Sequence, residues 1–240
     1  MAQFVGTEFF MVATYISQPL VPLSQDLLAV WQSLTPSCCP RKYNFHLHTS
    51  CSDGQMAPEN LIEQAVQLGL WGLAITDHHS IEGYQRAQRW LADFAGTTSN
   101  TKIPTLWSGI EITSDLFGTE VHILGYGFDP QCAVLAPYLN GDRPGDGADL
   151  ASRVVEAIQQ AGGLAVLAHP ARYRQPASRL IPQAAQVGID GVEAYYAYGN
   201  PKPWVSSVPQ MTEILYLSEL YDLACTCGTD SHGDSILYRL

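Results

Sequence analysis

The chain has 240 residues, 46% of them hydrophobic, which is enough to bury a substantial core. Lys and Arg number 12 against 23 Asp and Glu, a formal charge of -11 that argues against strong duplex nucleic-acid binding or attachment to an anionic membrane. An anionic substrate stays compatible with that balance, because carboxylates that bind cations reverse the local sign.

Residues 1–40 read as an N-terminal extension ending in the loop-like "TPSCCPRK", and residues 41–240 as one domain. The opening "MAQFVGTEFFMVATYISQPL" is apolar but lacks a basic leader, and Pro19, Pro22 and Ser24 interrupt it, so neither a signal peptide nor a membrane span is expected. Cys38, Cys39, Cys51, Cys132, Cys225 and Cys227 form no CxxC pair and make a poor disulfide framework, which points to a reducing, cytoplasmic setting.

From there strands and helices alternate. "YNFHLH" reads as a strand and "APENLIEQAVQLG" as a helix, with Pro58 in its first turn, Leu61, Ala65 and Leu68 on one face, and Gly69 as its stop. "GLAITDHH" is a second strand, "GYQRAQRWLADFA" a helix and "TLWSGIEIT" a third strand, near enough to "EVHILGYGF" to pair with it antiparallel. Three helix–strand units follow: "ADLASRVVEAIQQAG" with "GLAVLAHP", "PASRLIPQAAQVG" with "GVEAYY", and "PQMTEILYLSELYD" with "ACTCGTDSH". About seven strands in this alternation predict an α/β fold, a mainly parallel and nearly closed barrel. A doubly wound open sheet is the alternative, but "GLAITDHHS" lacks the glycines of a dinucleotide loop.

The polar residues concentrate at the C-terminal ends of these strands. His46 and His48 lie at i and i+2, which on a strand aims both rings to one side and Phe45 and Leu47 to the other. Asp53 follows in the next loop, and Asp77, His78 and His79 end the second strand. Glu111, His122, His169 and Glu193 mark later strands, and Asp230 with His232 repeats the i, i+2 spacing. All seven histidines fall at these ends, which in a barrel meet at one mouth. A single strand histidine is as readily a core or surface group as a ligand, but several acids gathered in one mouth repel unless cations lie between them. Imidazole and carboxylate without thiolate suit zinc, manganese or iron in a working site rather than structural zinc.

With "HLHTSCSDG", "LAITDHHS", "GIEIT", "VHILGY", "LAVLAHPARY", "GVEAYY" and "CGTDSHG", the sequence resembles the PHP (polymerase and histidinol phosphatase) family. It looks closest to metal-dependent phosphoesterases of nucleoside bisphosphates and short RNA ends. The resemblance implies a distorted seven-stranded (β/α)7 barrel and two or three divalent ions, manganese, zinc or iron, in a trinuclear arrangement. It implies that His46, His48, Glu111 and Asp230 hold one metal. Glu111 would bridge to a second, bound also by His122 and His169, and Asp53, His78 and His232 would hold a third. Glu111, Asp77 and Glu193 would serve the chemistry, the last two by orienting histidines or bound water. His79 matches no family role and is expected to face solvent.

Arg172 in "HPARYR" matches a family arginine that would clamp phosphate, with an exposed loop arginine as the competing reading. Tyr195, Tyr196, Tyr198 and Trp204 are read as packing in preference to base-stacking groups. The expected partner is a small phosphorylated substrate: a nucleotide, a nucleoside bisphosphate or a short oligoribonucleotide. A histidinol-phosphate phosphatase and a non-catalytic, metal-stabilised binding module are the alternatives. Related phosphatases carry a helical insertion before the "AHP" segment; some forty residues separate Tyr126 from His169 here, which predicts a reduced cap.

Overall fold

The computed structural model describes residues 23–96 and 101–240, so residues 1–22 of the expected extension lie outside the described residues. The helices are α1 (Leu23–Gln32), α2 (Pro58–Leu68), α3 (Glu82–Ala95), α4 (Ala151–Gln160), α5 (Ala177–Gln186) and α6 (Val208–Leu220). Gly69 ends α2 at φ 71°, a left-handed cap that glycine adopts without a Cβ penalty.

Among the described residues, eight strands form two sheets. A parallel sheet holds β1 (Tyr43–Asn44), β2 (Gly72–Ala74) and β3 (Thr105–Trp107) in that order. The second sheet runs β4 (Gly109–Leu116), β5 (Thr119–Tyr126), β6 (Leu164–Leu167), β7 (Gly191–Tyr195), β8 (Ala224–Cys227). Here β5 is antiparallel to both neighbours, whereas β6, β7 and β8 are parallel. Single bridges link the sheets, Leu47 to Ser231 and His78 to Glu111. The strands and helices thus form an α/β fold with parallel sheet, in eight strands where the sequence suggests seven.

The extra strand arises at Ser108. The segment read as one strand pairs on one side of that residue with β2 and on the other with β5, two different partners. Ser108 turns out of the ladder, with its Oγ donating to the Phe128 carbonyl at 2.7 Å and its own carbonyl accepting the Gly127 N–H at 3.0 Å.

Period-two alternation sorts side chains between cores. Ile110, Ile112, Val121, Ile123, Ala165, Leu167, Val192 and Ala194 face a core shared with α4, α5 and α6. The intervening Leu124, Tyr126, Val166, Ala168 and Tyr195 face a second core, completed by Leu27 and Trp31 of α1 and by Phe45. Trp31 is 2% exposed, with its ring centroid 5.4 Å from that of Tyr126 and 6.1 Å from that of Phe45. Leu47, Leu61, Leu73 and Ile75 make a third core with α2 and α3. Phe45 and Leu47 therefore enter different cores, contrary to the strand expectation, because the backbone leaves the β1 ladder after Asn44.

Candidate metal centre

Alternation also delivers the acids. Glu111 lies between Ile110 and Ile112, and Glu193 between Val192 and Ala194, so both carboxylates point away from the helices and toward the side where His46 and His48 meet. The chain after β1 is tied to the chain after β8: the Asp230 N–H donates to the His46 carbonyl (2.9 Å) and the His48 N–H to the Ser231 carbonyl (3.0 Å). That splice brings two histidine-bearing segments almost 190 positions apart into one cluster. Gly228 permits the approach, since a Cβ there would run into His46 and lie 2.8 Å from Glu193 Oε1. His79, His169 and Asp230 take left-handed backbone, at φ 50°, 26° and 53°. Such conformations are uncommon for non-glycine residues and concentrate at working sites.

Glu111 is the centre of the arrangement. Its Oε2 lies 3.1 Å from His46 Nε2, 3.0 Å from His48 Nε2 and 3.5 Å from His78 Nε2. Its Oε1 lies 2.7 Å from His122 Nδ1 and 3.5 Å from His169 Nε2. One carboxylate thus addresses two separate sets of imidazoles. Asp230 Oδ1 lies 3.4 Å from His46 Nε2 and 3.3 Å from His48 Nε2. Asp53 Oδ2 lies 3.2 Å from His232 Nε2 and 3.8 Å from His78 Nε2.

Three groups in this cluster have ligand-capable atoms within 4.8 Å of one another: His46, His48, Glu111 and Asp230; His48, Asp53, His78 and His232; and His78, Glu111 and His122. Eight of the expected nine residues fall in these groups; the ninth, His169, belongs to none of them, although its Nε2 lies 3.5 Å from Glu111 Oε1. His48 is 1% exposed, yet although its Nε2 lies 3.0 Å from Glu111 Oε2, neither of its ring nitrogens is aligned for a hydrogen bond, and His169 Nδ1 is equally unpartnered. Buried polar atoms rarely go unsatisfied. With hard and borderline donors on all sides, this set fits divalent cations.

Electrostatics point the same way. Burial opposes charge on His46, but Glu193, Glu111 and Asp230 around it hold its pKa well above the ordinary histidine value. His48, also buried, is raised to about 9 by Asp230 and Glu111. Burial would raise Glu111 and Asp230, yet the surrounding imidazoles hold both well below the carboxylate range. His78 is pushed down to about 4 by burial, with His48 and His122 adding to the effect. The acids around His46 and His48 favour positive charge there, as they would favour a cation, and metal binding would displace any protons those rings carry.

Glu193 holds the frame of the cluster. Its Oε1 lies 3.0 Å from His46 Nδ1, and its Oε2 accepts the His169 backbone N–H at 2.9 Å. Asp77 stands elsewhere than expected. Its Oδ1 accepts the Thr49 N–H and the Ser52 hydroxyl, and its Oδ2 the Thr49 hydroxyl, each at 2.7 Å. It fixes the loop that carries Asp53, and it bonds no imidazole among the described residues. His79 is buried, not solvent-facing, and its Nε2 accepts the Thr113 N–H at 3.3 Å.

Arg172 reaches the cluster, with Nη1 donating to Asp230 Oδ2 at 2.7 Å and the side chain 37% exposed. Tyr196 is buried and donates to the same oxygen at 2.7 Å, a contact the sequence did not suggest. Tyr195 and Tyr198 hydrogen-bond backbone, at Leu34 and Ala171. Arg239 was missed altogether: its Nε also donates to Asp230 Oδ2, at 2.8 Å. Only its place next to the final residue marks it in the sequence, and that carries no chemical signal.

The cysteines are free, and no helix among the described residues is long and apolar enough to cross a membrane. Residues 127–150 carry one 3-10 turn, Ala133–Tyr138, and fold back on the β4–β5 hairpin through the Asp115–Leu150 bridge and the Arg143–Glu120 ion pair, with Arg143 also paired to Asp149 within the segment.

Known proteins resemble this chain. The 5'-3' exoribonuclease Rnm of Escherichia coli is 31% identical over 124 residues, 51% of this chain and 40% of that protein. The 3',5'-nucleoside bisphosphate phosphatase of Chromobacterium violaceum is 33% identical over 102 residues, 42% of this chain and 33% of that protein. The chain thus spans well under half the length of either relative. A crystal structure from Bifidobacterium adolescentis, named for a metal-dependent phosphoesterase, superposes with TM-score 0.64 at 23% identity, covering 81% of this chain and 89% of that one; it speaks to the fold. The sequence profile of the PHP domain matches residues 44–169, just over half of the chain, and the protein belongs to the PHP domain family.

Proposed function

We propose that this protein is a metal-dependent phosphoesterase that hydrolyses a phosphate monoester on a nucleotide, a nucleoside bisphosphate or a short RNA end. The observation that carries this reading is the placement of Glu111, whose two oxygens face separate imidazole sets. In this reading the two sheets form a distorted barrel around that carboxylate. His46, His48, Glu111 and Asp230 hold one ion. Glu111, His122 and His169 hold a second, and Asp53, His78 and His232 a third. Divalent ions in such positions acidify water toward neutrality and neutralise charge on phosphoryl oxygens.

The chain's own residues do the rest. Glu193 turns the His46 ring so that Nε2 faces the cluster, and Asp77 holds the Thr49–Ser52 loop that presents Asp53. Arg172, partly exposed, has its Nη2 to offer a phosphoryl oxygen while Nη1 stays on Asp230. A groove of about 530 Å³ lined by Thr119, Glu120, Arg172, Tyr173 and Arg174 opens beside it, with room for a leaving group larger than an alcohol.

The test is phosphate release from nucleoside bisphosphates, oligoribonucleotides and histidinol phosphate with added Mn²⁺, together with metal analysis. Wild-type protein should release phosphate from a nucleotide substrate, and His48→Ala and Asp230→Ala should release none while keeping the native circular dichroism. Bound metal without hydrolysis of any of these substrates would sink the proposal in favour of a binding module, and histidinol phosphate as the sole substrate would overturn the nucleotide assignment.

A further inference from the structure

The last eight residues form a built element at the metal centre. Ile236 is 0% exposed in the core with Leu47, Leu61 and Leu73, and its carbonyl accepts Asn44 Nδ2 at 2.8 Å and Thr229 Oγ1 at 3.1 Å. Gln64 binds the same segment twice, through the Asp234 carbonyl and the Ile236 N–H. Farther along, the Arg239 carbonyl accepts the backbone N–H of His232 at 2.7 Å. The segment therefore returns to the cluster, and there Arg239 extends its side chain to Asp230.

Asp230 divides its two oxygens between different tasks. Oδ2 receives Tyr196 Oη, Arg172 Nη1 and Arg239 Nε at 2.7, 2.7 and 2.8 Å. Oδ1 faces His46 and His48. Three donors converging on one oxygen leave it little capacity for anything else and fix the carboxylate plane. We propose that Arg239 is a positioning residue of this centre, which with Tyr196 and Arg172 occupies Asp230 Oδ2 and so commits Oδ1 to the cation shared with His46 and His48. The inference rests on the metal-centre reading above and adds to it a group supplied by the segment that follows His232.

Two physical effects of Arg239 oppose each other, and their balance makes the proposal testable. Its positive charge repels a nearby cation, so if charge governed, removing it would tighten metal binding. If orientation governs, removing it loosens Asp230 and weakens binding, because partners of ligating carboxylates typically contribute about 10–100-fold to affinity. Arg239 is 21% exposed, and the segment is anchored independently by Ile236, so its side chain can be changed without uncoupling the fold.

The experiment measures Mn²⁺ affinity by calorimetric titration, without substrate, on wild type, Arg239→Ala and Arg239→Lys. Arg239→Ala should bind at least roughly tenfold more weakly, and millimolar guanidinium should restore most of the loss by refilling the vacated donor position. Arg239→Lys keeps the charge but not the planar fork, and should fall several-fold with an unchanged urea midpoint. Equal or tighter binding by Arg239→Ala, or a loss that guanidinium does not repair, overturns the proposal, as does wild-type affinity in Arg239→Lys. Because no substrate enters the measurement, a wild type that binds Mn²⁺ but hydrolyses nothing removes the phosphoesterase reading and leaves this one standing. A wild type that binds no Mn²⁺ removes both.

Discussion

Glu193→Gln is a change of one atom, and the structure says why it should matter. Glu193 accepts from two donors through two different oxygens, His46 Nδ1 at 3.0 Å and the His169 N–H at 2.9 Å. A glutamine has one carbonyl oxygen and one amide nitrogen, so it can serve only one of them. If its oxygen keeps His46, its NH2 faces the His169 N–H and a buried donor is left unsatisfied, at a cost of about 1–3 kcal/mol. If its oxygen keeps His169, its NH2 meets His46 Nδ1, which must then accept. The imidazole proton moves to Nε2 and points at Glu111 and Asp230, where the cation is to bind. In the first case stability falls, and in the second metal affinity falls by roughly 10–100-fold, equivalent to about 1.4–2.7 kcal/mol. Urea unfolding of metal-free protein measures the first and Mn²⁺ titration the second. A Glu193→Gln protein with a wild-type urea midpoint and Mn²⁺ affinity within twofold of wild type would refute the two-acceptor argument.

Other substitutions probe other parts of the structure. Trp31→Ala removes a buried ring packed on Phe45 and Tyr126 and should cost about 3–5 kcal/mol in urea unfolding; a loss under about 1 kcal/mol would show that α1 is an appendage to the domain. At saturating Mn²⁺, where a weaker hold on Asp230 is masked by the metal in excess, Arg172→Ala should raise KM about tenfold with a smaller change in kcat, whereas unchanged kinetics would remove Arg172 from substrate binding. Chelator-treated protein should unfold at lower temperature than protein with added Mn²⁺, since a cation bound only by the folded state stabilises it; identical midpoints would count against the centre.

What could be read from the sequence was local. Helix α2 shows its apolar face at Leu61 and Ala65, its Pro58 start and its Gly69 stop, all within one window, but Leu68, expected on the same face, is 38% exposed because the buried stripe runs through Ile62 and Val66 instead. The i, i+2 pairs at His46–His48 and Asp230–His232 were visible for the same reason, and the structure brings both pairs to one cluster even where the backbone is not regular strand. Features that depend on a distant partner were not visible. The break at Ser108 exists because its two flanks pair with different strands. The residues around Leu27 and Trp31 read as an extension because nothing nearby names Tyr126 as their neighbour. The family resemblance assigns Asp77 to orienting histidines or bound water, yet its oxygens are taken by Thr49 and Ser52 from another segment.

The same alternation that builds the cores explains why the cluster needs so many supporting contacts. Glu111 and Glu193 sit one position out of phase with isoleucine, valine and alanine neighbours, so folding the apolar residues onto the helices drives both acids inward. Hydrophobic burial thereby places negative charge where water is scarce, and Asp230 follows through its backbone bond to His46. Imidazoles from five segments surround that charge, and Arg172 and Arg239 offset part of it at the outer oxygen of Asp230. The remaining capacity lies at Glu111 and the inner oxygen of Asp230, facing His48, whose nitrogens are without hydrogen bonds. A divalent ion held by those three groups would satisfy the buried nitrogen and both carboxylates together, and no side chain among the described residues does so.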